Sequence, residues 1–145
     1  MNSILRTLLV LFFLAAAGFA QTPNFSETKK KAEAGDATAQ FTLGVMYKRG
    51  EVVAKDSDIA VKFFHLGALQ GNADAQYSLG GMYAFGDGLE KDLVQAHVWY
   101  NIAAAKGHEN SKKMLAIIRP SMTADQKAEA MKLARELFAK LPKGE

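Results

Sequence analysis

The chain contains no cysteine. Disulfides, thiolate metal ligands and cysteine nucleophiles are therefore excluded, and packing and hydrogen bonding alone must hold the fold. A large excess of charge of one sign is also lacking. The formal net charge is +3, a modest lysine excess that says little about partners. The basic run before the repeats, Lys29, Lys30 and Lys31, spreads around a helix axis as a solvated face, so no nucleic-acid stripe is expected. Three histidines, His65, His97 and His108, stand far apart in sequence, and none is paired with a second ligand at i, i+4. No metal site is expected from them. There is no Gly-x-Ser-x-Gly, no Ser-x-x-Lys and no phosphate-cradling loop. Gly86-Asp87-Gly88 follows one helix and precedes another, which is turn chemistry. Glu51, Asp87 and Glu90 fall in the same kind of turn, where polar residues are ordinary. No catalytic residue and no cofactor is assigned.

The first twenty residues read as a leader. Arg6 supplies a positive start, Leu8 to Ala17 is apolar without a charge, and Gly18-Phe19-Ala20 places small residues at −3 and −1 of a cut before Gln21. The run is shorter than the ~18 to 20 residues that a spanning helix needs. Residues 1–20 are thus expected to be a cleaved signal peptide, which implies a periplasmic or secreted protein without stable membrane insertion. No cysteine follows the leader, so a lipid anchor there is excluded.

What the chain does have is internal repetition. Gly-Asp-Ala-Thr-Ala-Gln-Phe-Thr-Leu-Gly-Val-Met-Tyr at 35–47 is answered 36 residues later by Gly-Asn-Ala-Asp-Ala-Gln-Tyr-Ser-Leu-Gly-Gly-Met-Tyr at 71–83. Gly50 falls on Gly86, Lys55-Asp56 on Lys91-Asp92, Phe63-Phe64 on Trp99-Tyr100, and Gly71 on Gly107. A period of this length marks an array whose units bury their apolar faces against their neighbours. Within each unit, Ala39, Leu43 and Tyr47 (Ala75, Leu79 and Tyr83) recur at helical spacing, with Gly44 and Gly80 admitting a close neighbour. Gly50 and Gly86 stop this helix A. Asp56 and Asp92 cap a helix B, and Gln95 after Asp92 has the spacing of a capping box. Trp99 and Tyr100, in register with Ala96 and Ala103, are read as core.

These motifs, Ala-x-x-Leu-Gly-x-Met-Tyr, Gly-x-Gly-hydrophobic-x-Lys-Asp and Ala-x-x-Trp-Tyr-x-x-Ala-Ala-x-x-Gly, resemble the Sel1-like repeat, a relative of the tetratricopeptide repeat. The second copy, with Gly86, Gly88, Lys91, Asp92, Trp99 and Tyr100, carries the pattern throughout. The first departs at Val52, opposite Gly88, so its A–B turn is expected to differ. The resemblance implies an all-α fold, a short α-solenoid of antiparallel helix pairs. The expected organisation is a half-repeat cap over 21–34, repeats over 35–70 and 71–106, and a partial repeat over 107–120. Arg119-Pro120 ends that partial copy. A capping helix over 121–145 follows, started by Thr123 and Gln126 and striped by Ala130, Leu133, Ala134, Leu137 and Leu141. Its expected dock is the end of the third copy.

Positions that differ between copies and lie off the apolar stripe are free to meet a ligand. On helix A these are Phe41/Tyr77, Thr42/Ser78, Val45/Gly81, Lys48/Ala84 and Arg49/Phe85. The resemblance places the A helices on the concave side, which makes Phe41, Val45, Lys48, Arg49, Tyr77, Ser78 and Phe85 the candidate partner-binding residues, with Phe41 and Tyr77 expected to stand exposed. Aromatics and arginine dominate binding hot spots. The expected function is a monomeric interaction module, an adaptor or assembly factor for a protein or peptide of the envelope. The alternative implied by the resemblance is cell-wall or β-lactam-related ligand binding or hydrolysis. That property belongs to the cysteine-rich secreted branch, whose staples this chain lacks.

Overall fold

A computed structural model describes residues 24–143. The expected leader, residues 1–20, lies outside the described residues, as do positions 21–23 of the half-repeat and 144–145 of the last helix's tail. Seven α-helices follow in order: α1 Phe25–Glu33, α2 Ala37–Arg49, α3 Ser57–Leu69, α4 Ala73–Phe85, α5 Leu93–Ala105, α6 Glu109–Ile118 and α7 Ala124–Lys140. A 3-10 turn, Arg119–Ser121, joins the last two. Each helix from α1 to α5 packs on the next, as an all-α solenoid requires, and α7 folds back onto α5. None of the described helices is long and apolar enough to cross a membrane.

The caps explain why each helix starts where it does. At one point in every copy a polar side chain accepts the N–H three residues on: Asp36 from Ala39 at 2.7 Å, Asn72 from Ala75 at 2.8 Å, and His108, through Nδ1, from Ser111 at 3.2 Å. Asp56 and Asp92 do the same for α3 and α5. Gln95, however, does not close a box. The Asp92 N–H is already given to the Tyr83 carbonyl at 2.9 Å, as the Asp56 N–H is to Tyr47 at 3.0 Å, so the A–B turn takes the donor that a box needs. Thr123 and Gln126 form both bonds of theirs. Gly50 and Gly86 end α2 and α4 in the left-handed conformation, at φ 70 and 68.

Close approach of A and B rests on two glycines. A Cβ on Gly44 would lie 2.7 Å from the Phe64 ring, and one on Gly80 would lie 2.8 Å from that of Tyr100. Both rings are fully buried and Trp99 is buried beside Tyr100, which places that pair in the core, while Phe63 of the first copy is half-buried. Burial pushes the Tyr100 phenol up to about 12, with a smaller push from Tyr77, so it remains neutral.

A buried glutamine ties each helix A to the end of the preceding helix. Gln40 donates to the Ala32 carbonyl at 3.1 Å and Gln76 to the Ala68 carbonyl at 3.0 Å. In the first copy the other end of the amide is satisfied as well, because Gln70 donates to Gln40 Oε1 at 2.6 Å. The second copy has Lys106 in the place of Gln70, and its ammonium goes to the Gly71 carbonyl. Gln76 Oε1 is left buried with no partner among the described residues. Lys106→Gln should restore the missing bond and raise stability by about 1 kcal/mol, seen as a melting temperature higher by several degrees. An unchanged or lower transition would show that the orphaned oxygen carries no penalty.

His97 is the other buried polar residue without full partnership. Its Nε2 accepts from Arg119 Nε at 3.3 Å, and its Nδ1 has no partner among the described residues. Burial, aided by the Arg119 charge, holds its pKa below the ordinary 6.5. Between that depressed value and 6.5 the unfolded chain binds more protons than the folded one, so stability rises with pH there. The contribution is complete above about pH 6.5 and is lost as pH falls toward the folded value. His97→Gln should therefore flatten the dependence of melting temperature on pH between about 7 and 5. Equal slopes in both proteins would show that His97 does not titrate on unfolding.

Candidate functional site

Between the A helices runs a groove of about 400 Å³, lined by Phe41, Val45, Lys48 and Arg49 of α2, Phe64 of α3, Asp74, Tyr77 and Ser78 of α4, and His108 and Asn110 at the start of α6. Six of the seven sequence candidates meet there. Phe85 does not. It stands 74% exposed at the end of α4, away from the lining. Of the remaining differing positions, Ala84 is in the core, and Thr42 turns its hydroxyl back onto the Thr38 carbonyl.

Phe41 and Tyr77 are not the bared rings that their angle from the stripe suggested. Both are half-buried against the core. The Phe41 ring lies 6.1 Å from that of Phe64, and the Tyr77 ring lies 5.8 Å from that of Tyr100 and 4.9 Å from the His108 imidazole. The cause is the glycine one turn on. Because Gly44 and Gly80 have no side chain, the buried ring of helix B rises beneath helix A, and the residue three positions earlier covers it. The groove floor is thus built of rings that are packed against the core and only partly exposed.

The walls differ in charge. Lys48 and Arg49 are exposed in the last turn of α2, and among the described residues neither is in an ion pair. A helix C-terminus favours cations, yet α4, of equal length and with the same glycine stop, ends in Ala84 and Phe85. Closing the helix therefore does not require them. On the opposite wall His108 Nδ1 accepts from the Ser111 backbone, which leaves its Nε2–H to donate to Asp74 Oδ1 at 3.2 Å. Ser111 Oγ lies 2.9 Å from the same Nδ1. This Ser–His–Asp chain is a helix cap and not a nucleophilic triad, because Ser111 is fully buried.

Asp74, His108, Asn110 and Phe64 were not among the sequence candidates. The signal was present: Thr38, Asp74 and Asn110 occupy one position of the repeat, Asp36, Asn72 and His108 another, and both vary from copy to copy. The turn acid Asp87 proves structural, accepting from the Ser57 hydroxyl of the preceding repeat at 2.6 Å.

Helix pairs stacked in one direction with a groove between their A helices define a repeat protein of the α-solenoid class. The Sel1 repeat profile matches residues 37–72 and 73–108. The chain superposes on the crystal structure of c5321, a protective antigen present in uropathogenic Escherichia coli strains that displays an SLR fold. The TM-score is 0.78 at 30% identity, over 88% of this chain and 29% of that one. It also superposes on a Sel1 repeat protein from Oxalobacter formigenes, with a TM-score of 0.60 at 42% identity, over 61% of this chain and 67% of that one. No curated protein matches the chain. The chain belongs to the Sel1 repeat family. It spans less than a third of the length of the antigen. Sel1 repeats commonly mediate protein–protein interactions and are generally non-catalytic.

Proposed function

We propose that this protein is an exported, non-catalytic interaction module that holds an envelope or secreted protein partner in the groove between α2, α4 and α6. The groove itself carries the reading. It is lined by half-buried aromatic rings and by two exposed cations that enter no ion pair among the described residues. Desolvatable rings beside arginine suit a binding surface. Export rests on the apolar run and small residues of positions 8–20. N-terminal sequencing of the protein from the envelope fraction should read from Gln21, and a retained Met1 would refute export by cleavage. A photo-crosslinking side chain introduced at Ser78, inside the groove, should give one discrete adduct in native cells. The same group at Lys62, exposed on α3, should give none. Equal adducts from both positions would remove the groove as the binding surface.

A further inference from the structure

The two walls of the groove and its floor specify more than a protein partner. Lys48 and Arg49 place two cations, in no ion pair among the described residues, beside Val45 and Phe41, on a helix whose counterpart in the next repeat has neither charge. Across from them the Asp74 carboxylate spends one oxygen on His108 and is otherwise largely exposed. An occupant that sets an apolar side chain on the floor must leave its next groups against these charges. Like charges facing each other oppose docking and opposite ones favour it. Resting on the reading of the groove as the partner site, we propose that it takes a peptide segment of the partner in which an aliphatic or aromatic side chain is followed directly by a carboxylate. The apolar side chain lies on Phe41, Val45 and Tyr77, and the carboxylate meets Lys48 and Arg49. The exposed carboxylate oxygen of Asp74 accepts from an N–H of the same segment.

Arginine holds a carboxylate through two parallel N–H bonds, whereas lysine acts as a point charge. Arg49 therefore orients the acid and Lys48 draws it in. Because both side chains are exposed, their attraction at a distance is screened by salt, so the association should weaken as ionic strength rises.

The probe is a phage-displayed library of random twelve-residue peptides, panned against the purified full chain. The selected peptides are then synthesised and their affinity measured by fluorescence anisotropy. Enriched sequences should share an apolar residue followed by Asp or Glu. Affinity should fall by about tenfold or more against the double variant Lys48→Glu/Arg49→Glu, and exchanging the peptide acid for lysine should abolish binding to the natural chain. Ser78→Gln, which adds neutral bulk to the groove, should also weaken these peptides. Peptides weakened by Ser78→Gln that carry no acidic preference, or that bind the double variant unchanged, would overturn the carboxylate and leave the groove. No enrichment, or peptides indifferent to both variants, would overturn the carboxylate and the groove reading together.

Discussion

Gly88→Ala is expected to destabilise the protein by about 3 kcal/mol. Two costs coincide at Gly88. Its φ is +72, and a Cβ there would lie 2.6 Å from the Ser57 carbonyl oxygen and 2.7 Å from its carbon. Left-handed backbone costs an L-residue about 1 to 2 kcal/mol, and forcing an atom into a packed contact costs about 1 to 3 more. The obstacle is backbone, which cannot swing aside. It also belongs to the preceding repeat, where Ser57 begins α3 and donates to Asp87 at 2.6 Å. Relieving the clash would thus pry one repeat from the next. Gly107→Ala isolates the first cost, since its φ is +87 but nothing among the described residues lies within 4 Å of an added Cβ. That variant should lose only about 1 kcal/mol. Thermal unfolding followed by circular dichroism should give a melting temperature lower by roughly 10 °C or more for Gly88→Ala and by a few degrees for Gly107→Ala. Equal drops would show that the Gly88 contact yields freely.

The departure of the first copy at this position was legible before any coordinates. Val52 stands opposite Gly88, and among the described residues no non-glycine has positive φ, so the two A–B turns must differ. Val52 is 54% exposed, and the position one period before Ser57, residue 21, lies outside the described residues. Period, helix count, caps and the buried ring pair were readable because each rests on local chemistry that recurs every 36 residues. What a single helix cannot report is which neighbour it meets. The angle of Phe41 from Ala39 suggested an open ring, but Gly44 lets a residue of the next helix come up beneath it. For the same reason His108 and Asp74, 34 residues apart in sequence, entered the groove unannounced.

Sequence placed α7 against the end of the third copy; it packs instead on α5, helix B of the second. Comparing the two B helices reveals why. Lys62 and Leu66 of α3 are exposed, whereas the residues one period on, Val98 and Ile102 of α5, are buried. Applied to helix B, the comparison between copies that marked the groove on helix A would have marked the dock. Buried residues of α5 lie on every side of it: Ala96, His97, Val98, Trp99, Tyr100, Ile102 and Ala103. A helix of that kind must be covered all round.

Removal of residues 121–145 should accordingly abolish cooperative folding. With α7 go Met122, Ala130, Ala134 and Leu141, all buried in the same core as Val98 and Ile102, and half-buried Leu133 and Leu137, which line a small cleft with Val98. A fully buried aliphatic side chain contributes about 1.5 to 3 kcal/mol. The side chains deleted and those bared on α5 together amount to several kcal/mol, against a total stability on the order of 5 to 15 kcal/mol for a domain. The loss also falls where the array can least absorb it. Two full repeats leave few neighbour interfaces to share the stability, and α6 alone, ten residues long, covers only part of α5. The shortened chain should give a broad, low thermal transition, bind a hydrophobic dye and elute as aggregate on gel filtration. A monomer that melts cooperatively within a few degrees of the full chain would mean that α5 tolerates an open face, and that α7 is an accessory to the solenoid and not its closing element.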